Sequence, residues 1–275
     1  MDFLRRIMAQ FAIGLLAAYA TLAVFSVFLA NYLLFPKVPP SYDRKSEFIR
    51  LPVEGVGEIA CVYLQNVRSQ YVIFYAHGNG EDLGHTMARL QMYYRAGFSV
   101  FAYDYPGYGA SDGAASEKTV IASTDAAYAY MTERLQIPKE TIIAYGRSVG
   151  GGPMVDLAAR EPMLGGLILE ATFASAFRVK THVPIVPWDI FNNSRKMPHV
   201  KCPVLIIHGT NDHVISFWHS QELLERTQSP KLFLWAEGGG HNNLQETLGE
   251  TYWEMLNRFL SLVDSNRQVR ERSKT

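Results

Sequence analysis

Five residues, Gly146-Arg147-Ser148-Val149-Gly150, place a serine where a strand gives way to a helix. The preceding run, Thr141-Ile142-Ile143-Ala144-Tyr145, is β-branched and apolar, the pattern of a buried strand. Gly151-Gly152-Pro153 then opens a helix carrying Met154, Val155, Leu157 and Ala158. Glycines at 146 and 150 leave room for a turn sharp enough to hold the serine in a strained conformation with its hydroxyl outward. A G-x-S-x-G string arises by chance in many chains. Strand before and helix after is the context that turns it into a nucleophile elbow, so Ser148 is the candidate nucleophile and a structural glycine turn is the alternative.

A serine hydroxyl needs a base, and the base needs an orienting acid. Of the eight histidines, His241 follows the last predicted strand in Glu237-Gly238-Gly239-Gly240-His241, where glycines let the chain curl back over the sheet edge. Its place after the serine fits the order nucleophile, acid, histidine. His85, His182, His199 and His219 are expected on surfaces or helix faces, and His213 in a loop. Asp212 follows another strand in His208-Gly209-Thr210-Asn211-Asp212 and is the candidate acid, ahead of Glu170. A turn-capping aspartate is the competing role, because Thr-Asn-Asp is turn chemistry.

Acyl transfer also requires two backbone N–H groups aimed at the developing oxyanion. Val149 supplies one by position. The loop His77-Gly78-Asn79-Gly80 after the third strand offers the amide of Asn79 as the second. That loop spells no dinucleotide fingerprint, since its glycine spacing fails at Leu83. Asp104-Tyr105-Pro106-Gly107-Tyr108-Gly109 follows the fourth strand. Asp104 is expected to hold nearby backbone, with Tyr105 and Tyr108 as candidate substrate contacts along one wall of the cleft.

These residues need a scaffold, and the chain is long enough for one α/β domain. It has 275 residues, 48% apolar and 12% aromatic, with 26 basic and 26 acidic side chains. A balanced charge without a basic stretch gives no nucleic-acid footprint. Cys61 and Cys202 lie outside metal-ligand spacing and are expected as two separate buried thiols. No metal or cofactor motif is present in the sequence.

Eight strands are predicted: Phe48 to Val53, Ile59 to Leu64, Tyr71 to Ala76, Ser99 to Tyr103, Thr141 to Tyr145, Gly166 to Leu169, Pro203 to Ile207 and Lys231 to Trp235. Helical periodicity lies between several of them, at Leu83 to Tyr94, at Val120 to Leu135 and, after the last strand, at Leu248 to Val263. Alternation of this kind means a mostly parallel sheet with helices on both faces, and two early strands without a helix between them give it an antiparallel start. Ligands in such sheets gather at the carboxyl ends of the strands, where nearly all the chemically suggestive residues fall.

Upstream, Ile7 to Pro36 contains no charged side chain. As a helix it would reach about 45 Å, against a hydrocarbon core of about 30 Å. Ala18-Tyr19-Ala20 resembles a cleavage site, but the apolar run continues through Phe35, which favours an uncleaved signal anchor and a single-pass membrane protein. Arg5 and Arg6 nearly balance Lys37, Arg44 and Lys45 across the span, so the positive-inside rule does not choose a side; a short cytoplasmic N-terminus with the domain outside is the orientation expected. The expected layout is an anchor over 1–36, a polar linker over 37–46, the domain over 47–263 and a frayed charged tail over 264–275.

Taken together, the loops at 77–80, 104–109, 146–150, 208–212 and 240–241 resemble the α/β-hydrolase superfamily. More narrowly they resemble its membrane-anchored serine hydrolases with a minimal cap, the branch that includes depalmitoylase-like members. The resemblance covers about residues 47 to 263. It implies an eight-stranded sheet, a Ser148–Asp212–His241 triad and acyl transfer to water without a cofactor. It also implies that the strands bearing Cys61 and Cys202 lie on opposite sides of the sheet. The substrate is expected to be an acyl ester or thioester, lipid-like if the short cap at 171–200 has an acyl groove. Its apolar middle, Val183-Pro184-Ile185-Val186-Pro187-Trp188 followed by Ile190-Phe191, fits such a groove or a bilayer contact, with Trp188 as a candidate substrate contact; a packed loop fits equally. A peptidase on the same fold is the rival activity, and a catalytically silent interaction protein the rival class.

Overall fold

The computed structural model describes residues 2–43, 48–181 and 188–272. It opens with helix α1 (Asp2–Leu34), within which Phe3–Phe25 is long and apolar enough to cross a membrane. Strands β1 (Ile49–Val53), β2 (Gly57–Leu64) and β3 (Val72–Ala76) follow, then α2 (Leu83–Arg95), β4 (Ser99–Tyr103), α3 (Glu117–Ala129) and β5 (Ile142–Arg147). Next come α4 (Gly151–Arg160), β6 (Gly166–Glu170), the short α5 (Arg178–Thr181) and α6 (Asn193–Lys196), and β7 (Val204–Gly209). The chain closes with α7 (Trp218–Arg226), β8 (Lys231–Ala236), α8 (Leu244–Leu248) and α9 (Glu250–Arg272).

All eight expected strands form one sheet in the order β1-β2-β4-β3-β5-β6-β7-β8. β2 runs antiparallel to both β1 and β4, the antiparallel start anticipated from sequence, and the remaining pairs are parallel. Successive side chains of a strand point to opposite faces, so near-continuous apolar runs bury on both sides. Phe74, Phe101, Ala144, Leu167 and Ile206 join Val120 and Met154 in one core. Ile73, Val100, Ile143, Ile168 and Leu205 join Leu90, Tyr252 and Phe259 in the other. Cys61 and Cys202 are both buried and free, Cys61 on β2 and Cys202 just before β7.

Several boundaries differ from the expectation. The α3 pattern ends in a wider turn over Tyr130–Arg134, where Leu135 N–H reaches the Tyr130 carbonyl at 3.0 Å. The last helical pattern breaks at Gly249, whose φ of 52° stops α8 before α9 begins. The tail expected to fray from Asp264 instead continues α9 to Arg272. Tertiary contacts hold it there: Tyr71 donates to Asp264 at 2.5 Å, and Arg270 donates to the carbonyls of Pro162 and Lys201 at 2.8 and 2.6 Å.

In the cap, Ile190 and Phe191 are buried, which is the packed-loop alternative for that part of the segment. Gly152 on α4 makes this possible, because a Cβ there would lie 2.4 Å from the Phe191 ring. Trp188 remains 41% exposed, and the stretch from His182 to Pro187 lies outside the described residues.

Candidate active site

β5 ends by delivering Ser148 at φ 52°, a left-handed backbone that a serine adopts only under constraint. The constraint is backbone crowding. A Cβ at Gly146 would lie 2.5 Å from the Gly150 carbonyl oxygen, and one at Gly150 would lie 2.2 Å from that of Ala76. Thr172 Oγ1 donates to the Ser148 carbonyl at 2.6 Å and secures the turn from β6's side.

His241, on the loop after β8, sets its Nε2 3.1 Å from Ser148 Oγ and its Nδ1 2.7 Å from Asp212 Oδ2. Asp212 sits on the loop after β7, where the amides of Val214 and Ile215 donate to its other oxygen at 2.8 and 2.9 Å. The buried His208 places Nε2 3.2 Å from Asp212 Oδ2. Burial works against the Asp212 charge, yet the hydrogen bonds from His208 and His241, the His241 charge and the Ile215 amide hold its carboxyl well below the usual range. The arrangement is a hydroxyl, an imidazole and an ionised carboxylate in line, able to take a proton from the hydroxyl and stabilise the resulting imidazolium.

Beside Ser148 lies the loop after β3. Gly78 N–H is committed to Glu81 Oε2 at 2.8 Å, and Gly80 turns the chain at φ 72°. Asn79 is exposed on this loop, its side-chain Nδ2 donating to the Leu33 carbonyl at 3.0 Å. Val149, one residue past the serine, is buried in the turn that opens α4. His77 is buried, with Nδ1 2.9 Å from the Gly78 carbonyl, and burial lowers its pKa so that the ring stays neutral.

Tyr105 and Tyr108, expected along the cleft wall, are placed behind this loop and are only 1% and 3% exposed. The Tyr105 hydroxyl donates to the His77 carbonyl at 2.6 Å, and its ring centroid lies 4.0 Å from that of His77. Both rings are committed to packing, so they buttress the loop from inside. Asp104 holds backbone as expected, accepting from Leu83 N–H at 2.7 Å. Of the histidines expected on surfaces or helix faces, His219 lies on the buried face of α7, its Nδ1 accepting from Ala174 N–H at 3.2 Å.

Sequence reasoning passed over Arg147, which ties the two loops together. Its Nη1 donates to Glu81 Oε1 at 3.0 Å, and its Nη2 donates to Asn242 Oδ1 at 2.5 Å and lies 3.5 Å from the His241 carbonyl. Its Nε lies 3.5 Å from Glu170 Oε1, which also accepts from Arg89 at 2.9 Å. Glu170, the rival acid from sequence, is therefore spent beneath the site on two arginines and on the hydroxyl of Tyr145. Burial opposes the Glu81 charge, but Arg147 and the Gly78 amide hold its carboxyl below the ordinary value.

Known proteins share this architecture. A family model described as "Serine aminopeptidase, S33" matches residues 68–194. Human α/β hydrolase domain-containing protein 17B is 40% identical over 217 residues, covering 74% of this chain and 72% of its own length. The Caenorhabditis elegans α/β hydrolase domain-containing protein aho-3 is 39% identical over 76% of this chain, which spans 63% of that relative's length. Among solved structures, a Pyrococcus furiosus esterase superposes with a TM-score of 0.68 at 16% identity, over 82% of this chain and 98% of its own. A Paleococcus ferrophilus monoacylglycerol lipase superposes with a TM-score of 0.60 at 19% identity, over 74% of this chain and 99% of its own.

Proposed function

The chain belongs to the α/β-hydrolase superfamily, and from that premise we propose that it hydrolyses acyl esters or thioesters through an acyl-enzyme on Ser148. The observation that carries this reading is the aligned pair of contacts, Ser148 Oγ to His241 at 3.1 Å and His241 to Asp212 at 2.7 Å. Ser148 Oγ attacks the acyl carbonyl while His241 Nε2 takes its proton. The carbonyl oxygen becomes an oxyanion received by the amides of Val149 and Asn79. Collapse breaks the bond to the leaving alcohol or thiol, which receives the proton from His241. Water then attacks the acyl-enzyme with His241 as base, and Ser148 is regenerated.

Asp212 keeps the imidazole in the tautomer that presents Nε2 to the serine, and its lowered pKa suits a group that remains ionised throughout. No cofactor enters this scheme. The length and apolarity of Phe3–Phe25 support a single-pass anchor. Ser148→Ala is expected to abolish both ester hydrolysis and covalent labelling by a fluorophosphonate probe. Labelling that persists at another serine would refute the assignment.

The description of the matching family model favours a second reading, an aminopeptidase on the same fold. p-Nitrophenyl esters of increasing acyl length, run beside aminoacyl anilides, separate the two. Faster turnover of the anilides would replace the esterase reading.

A further inference from the structure

The segment from Leu33 to Tyr42, which joins the apolar helix to the domain, is fastened at several points to the loops around Ser148. At its start, the Leu33 carbonyl accepts from Asn79 Nδ2 at 3.0 Å. The Phe35 ring is buried, 6.1 Å from Tyr105 and 6.2 Å from Phe191, edge to face with both. Tyr105 in turn packs on His77 and bonds its carbonyl, so Phe35 stands one ring away from the oxyanion loop.

Its far end is fixed as firmly. Ser41 donates through its N–H to Asp82 Oδ2 at 2.7 Å and through its hydroxyl to Asp82 Oδ1. Tyr42 donates its hydroxyl to Asp104 and accepts from Ala110 N–H at 2.9 Å. The loops are shaped to receive these side chains: a Cβ at Gly84 would lie 2.3 Å from Ser41 Oγ, and one at Gly109 would lie 2.6 Å from the Tyr42 hydroxyl. Asp82 caps α2, the helix that follows the oxyanion loop, so the segment grips that loop from both sides.

A linker that only tethers leaves its side chains solvated and its backbone free. We infer that residues 33–42 are a brace that positions the His77–Glu81 loop, with Phe35 and Tyr42 as positioning residues for the oxyanion site. This inference rests on Ser148 being the nucleophile and on the loop supplying an oxyanion donor.

The test uses the full chain in lipid nanodiscs with p-nitrophenyl acetate, a water-soluble ester that needs no delivery from a bilayer. Phe35→Ala and Tyr42→Phe are compared with wild type, with kcat expressed per site titrated by a fluorophosphonate. Displacing the loop is expected to lower kcat per titrated site about 10-fold or more while KM stays within about twofold. Affinity for a trifluoromethyl ketone, which presents an oxyanion to the same amides, should fall by the same factor, and Phe35→Leu should restore most of both. Tyr42→Phe removes one hydroxyl, so it keeps the test open if Phe35→Ala does not fold. A lower titre with unchanged kcat per site, in a wild type that labels at Ser148, overturns the brace alone. A wild type that does not label at Ser148 overturns the hydrolase reading and the brace with it.

Discussion

Arg147 shows how one side chain adjacent to the serine can govern two loops. Its planar guanidinium reaches Glu81 on one side and the Asn242 side chain on the other, a fork that a lysine ammonium cannot reproduce. Arg147→Gln is expected to lower kcat about 10- to 100-fold with little change in KM, because both loops shift while the substrate still binds. It also removes one of two guanidinium charges beside the buried Glu170, which keeps Arg89 at 2.9 Å, so the loss of stability should fall below the about 3–5 kcal/mol of a buried charge left with no partner. Steady-state kinetics and urea unfolding measure the two effects, and Arg147→Lys should rescue neither fully. The sequence could not announce this role, since the partners lie 66 and 95 residues away with no spacing to betray them. His208 escaped for a different reason: its partner Asp212 is only four residues on, and the fold of the loop after β7, not the spacing, turns its Nε2 to the carboxylate. Ser148, Asp212 and His241 were legible because each follows a strand end inside a glycine-marked turn.

Asp104 carries the other residue-scale consequence. Burial pushes its carboxyl up to about 7, against the hydrogen bonds from Tyr42 and Leu83 that favour its charge. The unfolded value is near 4, so between about pH 4 and 7 the folded state holds a proton the unfolded chain has released. Stability from this group is therefore full below pH 4 and declines as pH rises towards 7, opposite to an ion-paired carboxylate. Urea midpoints across that interval should reveal a slope of this sign, and Asp104→Asn should flatten it.

At the level of elements, the turn from β5 to α4 and the end of β3 are a single fitted joint. Gly150 approaches the Ala76 carbonyl so closely that a methyl group at 2.2 Å has only backbone to displace. Gly150→Ala is expected to cost about 1–3 kcal/mol or more in urea unfolding. It should also slow turnover, because the chain it pushes leads into the loop proposed to hold the oxyanion. The existence of every strand was readable from apolar runs, yet β5 to β8 ran one or two residues past their expected ends, whereas β1 to β4 stopped where expected. Gly146 and Arg147 read as turn, but both pair in the ladder, with Leu169 and Glu170. Only a neighbouring strand decides that. The continuation of α9 was hidden likewise: its last turns lack an apolar stripe, and carbonyls of Pro162 and Lys201 hold Arg270 from outside the helix.

Across the whole molecule, alternation of strand and helix disclosed the fold class, whereas the lateral order of the strands did not follow from periodicity. That order sets β5 in mid-sheet with β7 and β8 to one side and β3 to the other, so the candidate site lines one rim. The opposite rim is built from plain connections. Between β2 and β3, Val67 is 89% exposed on a turn that Asn66 closes through its own carbonyl. A reporter peptide inserted after Val67 is expected to leave both turnover and the urea midpoint within error of the parent. This bend then becomes the place to glue the enzyme to a sensor chip, with its working end facing the flow.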